Sequence, residues 1–330
     1  MQTSFLQGLG KMLLDRSIIV LFVIVFLVFG LLSPQFLTLQ NLLNILVQSA
    51  TLIILASGMT FVIITAGIDL SVGSIMLVVA VISGKAVLDY DLPLLVVIPL
   101  GMVLGLCFGY LNALSIHRLK IIPFIATLGM YYVARGLGLL ISETRALNLP
   151  ESYTWLGNTP ILGIPLPVWI MAVVVFAGHI ILSHTTYGRQ LYAVGEDAVR
   201  ARKAGVKVDR IIIGSYVLCG LCAAIASLVA TAQLGAVSPT FGDQREFTAI
   251  AAVVLGGTSL FGGTGKIFPG TLIGAILIQS IESGLVMVSL DPYLYAVITA
   301  GILFFVVLID SIKHQRQNRK SAKPLLKSSS

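Results

Sequence analysis

Long apolar runs separated by short polar segments make up most of the chain. A helix needs about 20 apolar residues to cross the hydrocarbon core of a bilayer. The pattern therefore predicts an all-α integral membrane protein with about ten transmembrane helices, in one membrane domain over residues 1–330. The predicted spans are residues 17–33, 41–66, 68–88, 93–115, 121–142, 167–183, 211–231, 246–262, 267–288 and 292–309.

Glycines interrupt two of these runs at similar spacing. The stretches are FVIITAGIDLSVGS (61–74) and VVLGGTSLFGGTGKIFPG (253–270), and their alignment pairs Gly67 with Gly257 and Gly73 with Gly263. Glycine-interrupted segments in both halves of a chain predict a transporter core with internally repeated halves, in which unwound backbone lines the path. Close helix packing at small residues is the alternative interpretation.

Composition agrees with a membrane protein. Hydrophobic residues make up 57% of the chain and charged residues 11%, whereas soluble domains carry about 25% charged residues. The three cysteines lie inside apolar runs, and the four histidines are scattered without ligand spacing, so neither a metal site nor a nucleophile is expected.

Lysine and arginine predict the orientation of the spans, because basic loops stay on the cytoplasmic side. With the N-terminus inside, 17 of the 21 basic residues are cytoplasmic, and the outer loops hold seven acids, among them Asp243 and Glu246. The cytoplasmic segments are then 1–16, 184–210 and a basic tail at 310–330. Topology thus explains the net charge of +7, and nucleic-acid binding is not expected.

Ionisable residues well inside the predicted spans are few, namely Asp69, Arg135 and Glu282. Such residues are costly in a bilayer, so each is expected to have a functional or paired role. Arg135 shares one helix face with Thr127 and Tyr131, which precede it by eight and four residues. That face suits a hydroxylated solute, and an ion pair between Asp69 and Arg135 that joins two spans is the alternative.

A polar stripe of Asn41, Asn44, Gln48 and Thr51 follows the second span at three- and four-residue steps. It suits the mouth of a path for a neutral, hydrogen-bonding molecule, and hydrogen bonding between helices explains it nearly as well. The predicted substrate path comprises Asn44, Gln48, Phe61, Asp69, Thr127, Tyr131, Arg135 and Glu282.

Four long, well-separated stretches match a known family: GMTFVIITAGIDLSVGS (58–74), PFIATLGMYYVARG (123–136), TTYGRQLYAVG (185–195) and EFTAIAAVVLGGTSLFGGTGKIFPGTLIGA (246–275). The chain resembles the membrane permeases of bacterial ABC importers for monosaccharides, over nearly its whole length. The resemblance implies import of a monosaccharide such as ribose across the bacterial cytoplasmic membrane.

The resemblance also implies partners. These are a second permease chain, in a homodimer with the path at its interface, a cytoplasmic ATPase with two nucleotide-binding cassettes, and a periplasmic or lipid-anchored sugar-binding protein. The ATPase would bind ATP and Mg²⁺, so this chain would be no enzyme and would hold no cofactor. The sequence around Gly265 and Lys266 agrees, because Ile267 stands where a phosphate-binding loop needs Ser or Thr.

Segment 184–210 is the predicted coupling loop. Asp197 is a good N-cap, residues 198–204 favour a helix and Gly205 favours its end, so a short surface helix is expected. Similarity to the coupling helix of the family gives this helix the role of contacting the ATPase. The predicted coupling residues are Gly195, Glu196, Asp197, Ala198, Arg202 and Gly205.

The same loop departs from the family pattern. The family usually reads Gly-Gly-Asn where this chain has Gly195-Glu196-Asp197, and Arg200 and Lys203 replace residues that are commonly small or apolar. These departures favour pairing with a dedicated ATPase. Two other functions remain open at this point, a branched-chain amino acid permease of the ABC type and an ion-coupled secondary transporter.

Overall fold

The computed structural model describes residues 17–291 and, beyond them, positions 294, 297, 298, 300, 301, 304, 305, 308 and 311. Apart from these single positions, the predicted tenth span and the predicted cytoplasmic segments 1–16 and 310–330 lie outside the described residues.

The described part of the chain is mostly helical. Its helices are α1 (Ser17–Leu32), α2 (Leu39–Ile64), α3 (Val72–Leu88), α4 (Leu94–His117), α5 (Pro123–Ser142), α6 (Glu151–Asn158), α7 (Leu166–His184), α8 (Thr186–Glu196), α9 (Ala198–Lys203), α10 (Val208–Leu234), α11 (Arg245–Leu255) and α12 (Leu272–Met287). A 3₁₀ turn at Pro34–Leu37 precedes α2, and a π-helical turn at Ile267–Thr271 leads into α12.

Two short antiparallel strand pairs lie in the segments that connect the helices. Strand β1 (Leu147–Asn148) follows α5 and pairs with β4 (Ala236–Val237), which follows α10. Strands β2 (Pro160–Ile161) and β3 (Ile164–Pro165) form a hairpin before α7. The first pairing ties the end of α5 to the segment that leads into α11.

Six helical segments within the described residues are long and apolar enough to cross a membrane: α2, α4, α5, α7, α10 and Ile267–Met287. Two shorter apolar helices lie at Leu21–Leu32, within α1, and at Val72–Leu88, which is α3. The prediction of a mostly helical chain with several helices able to span a membrane is therefore confirmed, and the count of about ten stays a prediction. The predicted spans that correspond to α2, α4, α5, α7 and α10 match the helices within three residues at each end.

The two glycine-broken spans differ from continuous helices. The third predicted span becomes helical only at Val72, because the chain turns at Ala66 (φ 59°) after α2 and runs on without helix to Ser71. Within the eighth predicted span, 246–262, α11 ends at Leu255, so this segment is broken at its glycines as the sequence predicts. Gly257 then has a φ of 88°, a left-handed conformation that favours glycine.

Helix α10 packs closely against α4 and α2 through small residues. A Cβ atom on Gly105 of α4 would overlap the carbonyl oxygen of Gly220 in α10, and a Cβ on Gly220 would overlap that of Gly105. A Cβ on Gly58 of α2 would lie 2.6 Å from the Cβ of Cys222. Small residues thus let these backbones approach as they commonly do in membranes.

Helices α6 and α8 were not predicted. Both lie in segments between apolar runs, and α8 contains two glycines, Gly188 and Gly195, which lower intrinsic helix propensity. Gly188 lies against the carbonyl oxygens of Ile181 and Leu182, where any side chain would clash. Packing at the turn from α7 into α8 therefore overrides the local preference.

Candidate functional site

One polar cluster lies on α5, on the face that its spacing predicts. Arg135 donates hydrogen bonds to the carbonyl oxygen of Phe241 (2.9 Å) and to Oδ1 of Asp243 (3.1 Å). The Tyr131 hydroxyl donates to the same Asp243 oxygen at 3.0 Å. We call Tyr131, Arg135 and Asp243 the Arg135 cluster. It ties α5 to the segment between β4 and α11.

Thr127 connects the same face of α5 to the first helix break. Its side chain is fully buried and donates to the carbonyl oxygens of Pro123 (2.9 Å) and Ile68 (3.3 Å). Residue Ile68 belongs to the non-helical segment between α2 and α3. The α5 face therefore contacts both the first break and the segment before α11.

Asp69 lies in the first break and does not pair with Arg135. It is fully buried, and its Oδ1 accepts hydrogen bonds from the backbone N–H (2.9 Å) and hydroxyl (2.6 Å) of Ser71. The amide of Asn112 on α4 donates to the same oxygen at 3.4 Å. The alternative of an Asp69–Arg135 ion pair is therefore wrong, because Asp69 closes the turn before α3 and Arg135 binds Asp243.

The polar stripe on α2 makes hydrogen bonds with neighbouring helices. Gln279 of α12 donates to Gln48 at 3.3 Å, and Ser283 of α12 donates to Asn41 at 3.2 Å. Thr51 donates to Gln233 of α10 at 3.3 Å. Hydrogen bonding between helices, the second interpretation of this stripe, describes these three residues.

Among the other predicted path residues, Asn44 and Phe61 make their contacts away from the Arg135 cluster. Asn44 accepts a hydrogen bond from Gln40 on its own helix (3.3 Å). Phe61 is 2% exposed and lies against Gly178 of α7. Glu282 is partly buried on α12, next to Ser283.

The predicted coupling loop meets both helix breaks. The backbone N–H of Gly263, in the second break, donates to the carbonyl oxygen of Ile64 at the end of α2 (2.9 Å). A Cβ on Gly195, near the end of α8, would overlap that carbonyl oxygen and lie 2.6 Å from the Gly263 nitrogen. We call Ile64, Gly195 and Gly263 the glycine junction. Tyr192 of α8 adds a hydrogen bond from its hydroxyl to the carbonyl oxygen of Gly265 (2.7 Å).

Helix α9 begins and ends as its sequence predicts. Asp197 is the N-cap and accepts hydrogen bonds from the backbone N–H groups of Val199 and Arg200, both at 2.9 Å. The Arg200 guanidinium also donates to Asp197, at 2.7 Å. The backbone and guanidinium hydrogen bonds from Arg200 lower the pKa of Asp197, so the cap stays charged at neutral pH. Gly205 follows the helix with a φ of 86°.

Helix α9 is fixed on one side and exposed on the other. Arg202 forms an ion pair with Asp209 at the start of α10 (3.0 Å), and Asp209 also contacts His117 at the end of α4 (3.2 Å). Ala201 is buried. Exposed residues of the loop around it include Glu196, Ala198, Val199, Arg200 and Lys203. A partner can therefore bind α9 without displacing its anchors.

The four aligned glycines lie at the two breaks but differ in conformation. Gly257 and Gly263 have left-handed φ values of 88° and 73°. Gly67 instead lies beside the hydroxyl of Tyr216, 2.6 Å from the position of a Cβ. Gly73 belongs to the first turn of α3. The matched spacing thus finds both breaks, although the paired positions are not equivalent in structure.

Sequence reasoning missed Glu246. The charge count assigns it to an outer loop, but it is 3% exposed in the first turn of α11. The available indication that Glu246 is buried was its position directly before a long apolar run. Asp243 was likewise counted only as a loop acid, whereas it holds Arg135 and Tyr131.

Comparison with known proteins finds close relatives. Residues 41–308 match the family described as branched-chain amino acid transport system / permease component. The chain is 38% identical over 304 residues to the ribose import permease of Escherichia coli (strain K12), covering 91% of this chain and 94% of that protein. It is 40% identical over 297 residues to the ribose import permease of Bacillus subtilis (strain 168), covering 89% and 91%.

A third relative carries a different sugar in its name. The chain is 33% identical over 291 residues to the D-allose transport system permease of Escherichia coli (strain K12), covering 88% of this chain and 89% of that protein. No solved structure matches the chain.

Proposed function

We propose that this chain, which belongs to the family of branched-chain amino acid transport system permease components, is the membrane subunit of an ABC importer for a ribose-like monosaccharide. The observation that carries this proposal is the 38–40% identity to ribose import permeases over about nine-tenths of the chain. The path would cross the bacterial cytoplasmic membrane. Sugar is favoured over amino acid as the cargo because the named relatives carry sugars.

The Arg135 cluster supports a neutral cargo. Arg135 is already paired with Asp243, and its side chain is only 12% exposed. It therefore offers no free cation to the carboxylate of an amino acid, whereas the Tyr131 hydroxyl, which donates to Asp243, can still accept a hydrogen bond from a cargo hydroxyl. We propose that Thr127, Tyr131 and Arg135 line the path, with Asp69 shaping the break behind them. The remaining predicted path residues would affect the path only through the packing of α2 and α12. They are Asn44, Gln48, Phe61 and Glu282.

The ten-span topology with both termini in the cytoplasm is part of the proposal. The glycine junction supports it, because the predicted orientation puts segment 184–210 and both helix breaks on the same, cytoplasmic side. Residues 292–309 would form the last span. The basic tail at 310–330 would then lie inside, where positive charge is retained.

A second copy of the chain is the proposed partner at the α5 face. Asp243 is 48% exposed although it contacts Arg135 and Tyr131, and Tyr132 on the same helix is 68% exposed. Polar groups left facing lipid are costly. A homodimer that covers this face would remove the cost and place the path near the interface.

A cytoplasmic ATPase and an external sugar-binding protein complete the proposed importer. ATP and Mg²⁺ would be bound by the ATPase, so this chain is a transport subunit and not an enzyme. The exposed side of α9 is the proposed contact for the ATPase. The glycine junction would pass its displacement to both helix breaks, and the ATPase cycle would shift the balance between outward-open and inward-open states.

The coupling role of α9 is tested by co-purification. Replacing residues 197–205 by a Gly/Ser segment should abolish recovery of a tandem-cassette ATPase with the tagged chain, as judged by mass spectrometry. The cause would be loss of the N-cap at Asp197 and of the helix that it starts. Replacing exposed residues 143–146 at the end of α5 is the matched control and should leave recovery unchanged. Equal recovery from both variants would overturn the coupling role.

A further inference from the structure

The carboxylate of Glu246 is buried without a complete set of partners. The residue is 3% exposed, and its Oε2 has no hydrogen-bond partner among the residues that the structure describes. An unpaired buried carboxylate oxygen is costly and rare in native structures. This oxygen can therefore accept a hydrogen bond from a further partner.

Glu246 Oε2 lies against the first turn of α3. A Cβ on Gly73 would lie 2.5 Å from this oxygen. Gly73 is 15 residues before the end of α3 at Leu88, which is about 22 Å along a helix that rises 1.5 Å per residue. The carboxylate therefore lies at the start of α3, beside the first helix break and far from the other end of this helix at Leu88.

The first turn of α3 supplies hydrogen-bond donors beside this acceptor. The first N–H groups of any helix have no partner within the helix. Ser71, the N-cap of α3, makes no side-chain hydrogen bond to them. The Ser74 hydroxyl, in the same turn, is fully buried and also has no partner among the described residues. Glu246 Oε2 thus approaches Gly73, the residue directly before Ser74, in a turn that holds unpaired donors. An acceptor beside donors matches sugar hydroxyls, since each hydroxyl both donates and accepts.

Backbone atoms of Gly73 and Gly242 form the contact that covers the Glu246 carboxylate. A Cβ on Gly73 would overlap the carbonyl oxygen of Gly242, and a Cβ on Gly242 would overlap that of Gly73. The two backbones touch directly at this point, with Glu246 Oε2 and the Met76 Cβ as the neighbouring side-chain atoms. Separation of α3 from the segment before α11 would expose Glu246. The same segment is held on its other side by Arg135, through Phe241 and Asp243. The site therefore adjoins the Arg135 cluster.

We propose that Glu246 and the first turn of α3 form a binding site for hydroxyl groups of the carried monosaccharide, covered in this conformation and opened when α3 and α11 separate. This inference rests on the proposed function. Glu246 accepts a hydrogen bond from a sugar hydroxyl, and the N–H groups of the α3 turn donate to the neighbouring one.

The test uses the complete importer, meaning the permease with its ATPase and binding protein, in proteoliposomes. ATP-dependent uptake of radiolabelled D-ribose is measured for wild type, Glu246→Gln and Glu246→Ala, with Glu151→Gln as the exposed control at the start of α6. The two Glu246 variants are expected to lower maximal uptake at least tenfold. Basal ATP hydrolysis and ATPase recovery should stay at the wild-type level, and Glu151→Gln should behave as wild type.

Deoxy analogues of D-ribose separate sugar contact from a purely structural role. Each analogue is supplied at a concentration that saturates the binding protein. One analogue should be carried poorly by wild type, and Glu246→Ala should lower its uptake no further, because the lost hydroxyl and the lost carboxylate are one interaction.

Two results would overturn the inference while leaving the importer function intact. They are D-ribose uptake by Glu246→Gln within twofold of wild type, and an equal fractional loss for D-ribose and every deoxy analogue. Absence of ATP-dependent D-ribose uptake by wild type would overturn both the inference and the proposed function.

Discussion

Replacement of Gly195 by valine should lower ATP-dependent sugar uptake about 10- to 100-fold, because overpacking costs roughly 1–3 kcal/mol and 1.4 kcal/mol is a factor of ten. The new side chain would overlap the carbonyl oxygen of Ile64 and approach the Gly263 nitrogen. Both neighbours are backbone, so neither can rotate away. Uptake by proteoliposomes that contain the complete importer measures the effect.

A matched control lies on the same helix. Ala193 is exposed on α8, so Ala193→Val adds similar volume without a clash and should leave uptake within twofold of wild type. We expect Gly195→Val to retain ATP hydrolysis and recovery of the ATPase, because the surface of α9 is unchanged. Wild-type uptake by Gly195→Val would show that the glycine junction does not link the loop to the helix breaks.

Replacement of Arg135 by alanine should also lower uptake by about 10- to 100-fold, since a hydrogen bond to a charged group contributes roughly 1.5–3 kcal/mol. The change removes the donors for the Phe241 carbonyl and for Asp243, which frees the segment before α11. Arg135→Lys should restore only part of the activity, because an ammonium group cannot reproduce the planar fork of a guanidinium. Initial rates of uptake for the three proteins provide the comparison.

Arg145 is the control for charge at the same end of α5. Its side chain is 80% exposed and, among the residues that the structure describes, forms an ion pair only with Glu143, which is 63% exposed, so Arg145→Ala should leave uptake unchanged. Full recovery of uptake in Arg135→Lys would assign the effect to positive charge alone. Equal losses in Arg135→Ala and Arg145→Ala would contradict a specific role for the Arg135 cluster.

The sequence predicts well what depends on local composition. The uncharged runs locate α2, α4, α5, α7 and α10, since crossing a bilayer requires a long apolar segment. Asp197 and Gly205 locate α9, because an N-cap and a terminal glycine act within a few residues. Thr127, Tyr131 and Arg135 share a face because helical spacing alone decides it.

Partners distant in sequence could not be predicted in this way. Arg135 binds residues more than 100 positions later, and a single sequence does not say which of several acids will meet it. Nothing local distinguishes Gly195 from Gly188, although Gly195 touches both helix breaks and Gly188 touches the end of α7. Glu246 was assigned to a loop because charge was counted without knowing that α11 starts deep in the fold.

The two helix breaks contact several of the residues that the proposed transport function uses. The first break carries Asp69 and meets Thr127, and the second break supplies Gly263 to the glycine junction. The predicted coupling loop thus contacts both breaks at Ile64 and Gly263, and the segment before α11 carries Asp243 of the Arg135 cluster and leads into Glu246. A small displacement of α8 and α9 would move both broken segments together.

Uptake by purified components is the direct test of ATP-driven sugar import by this chain. The chain is reconstituted in liposomes with its tandem-cassette ATPase, and radiolabelled D-ribose loaded on the binding protein is supplied outside. We expect accumulation that requires ATP on the ATPase side, continues when ion gradients are collapsed, and is not reduced by excess leucine. Accumulation that needs an ion gradient but no ATPase, or uptake of leucine in place of D-ribose, would contradict it.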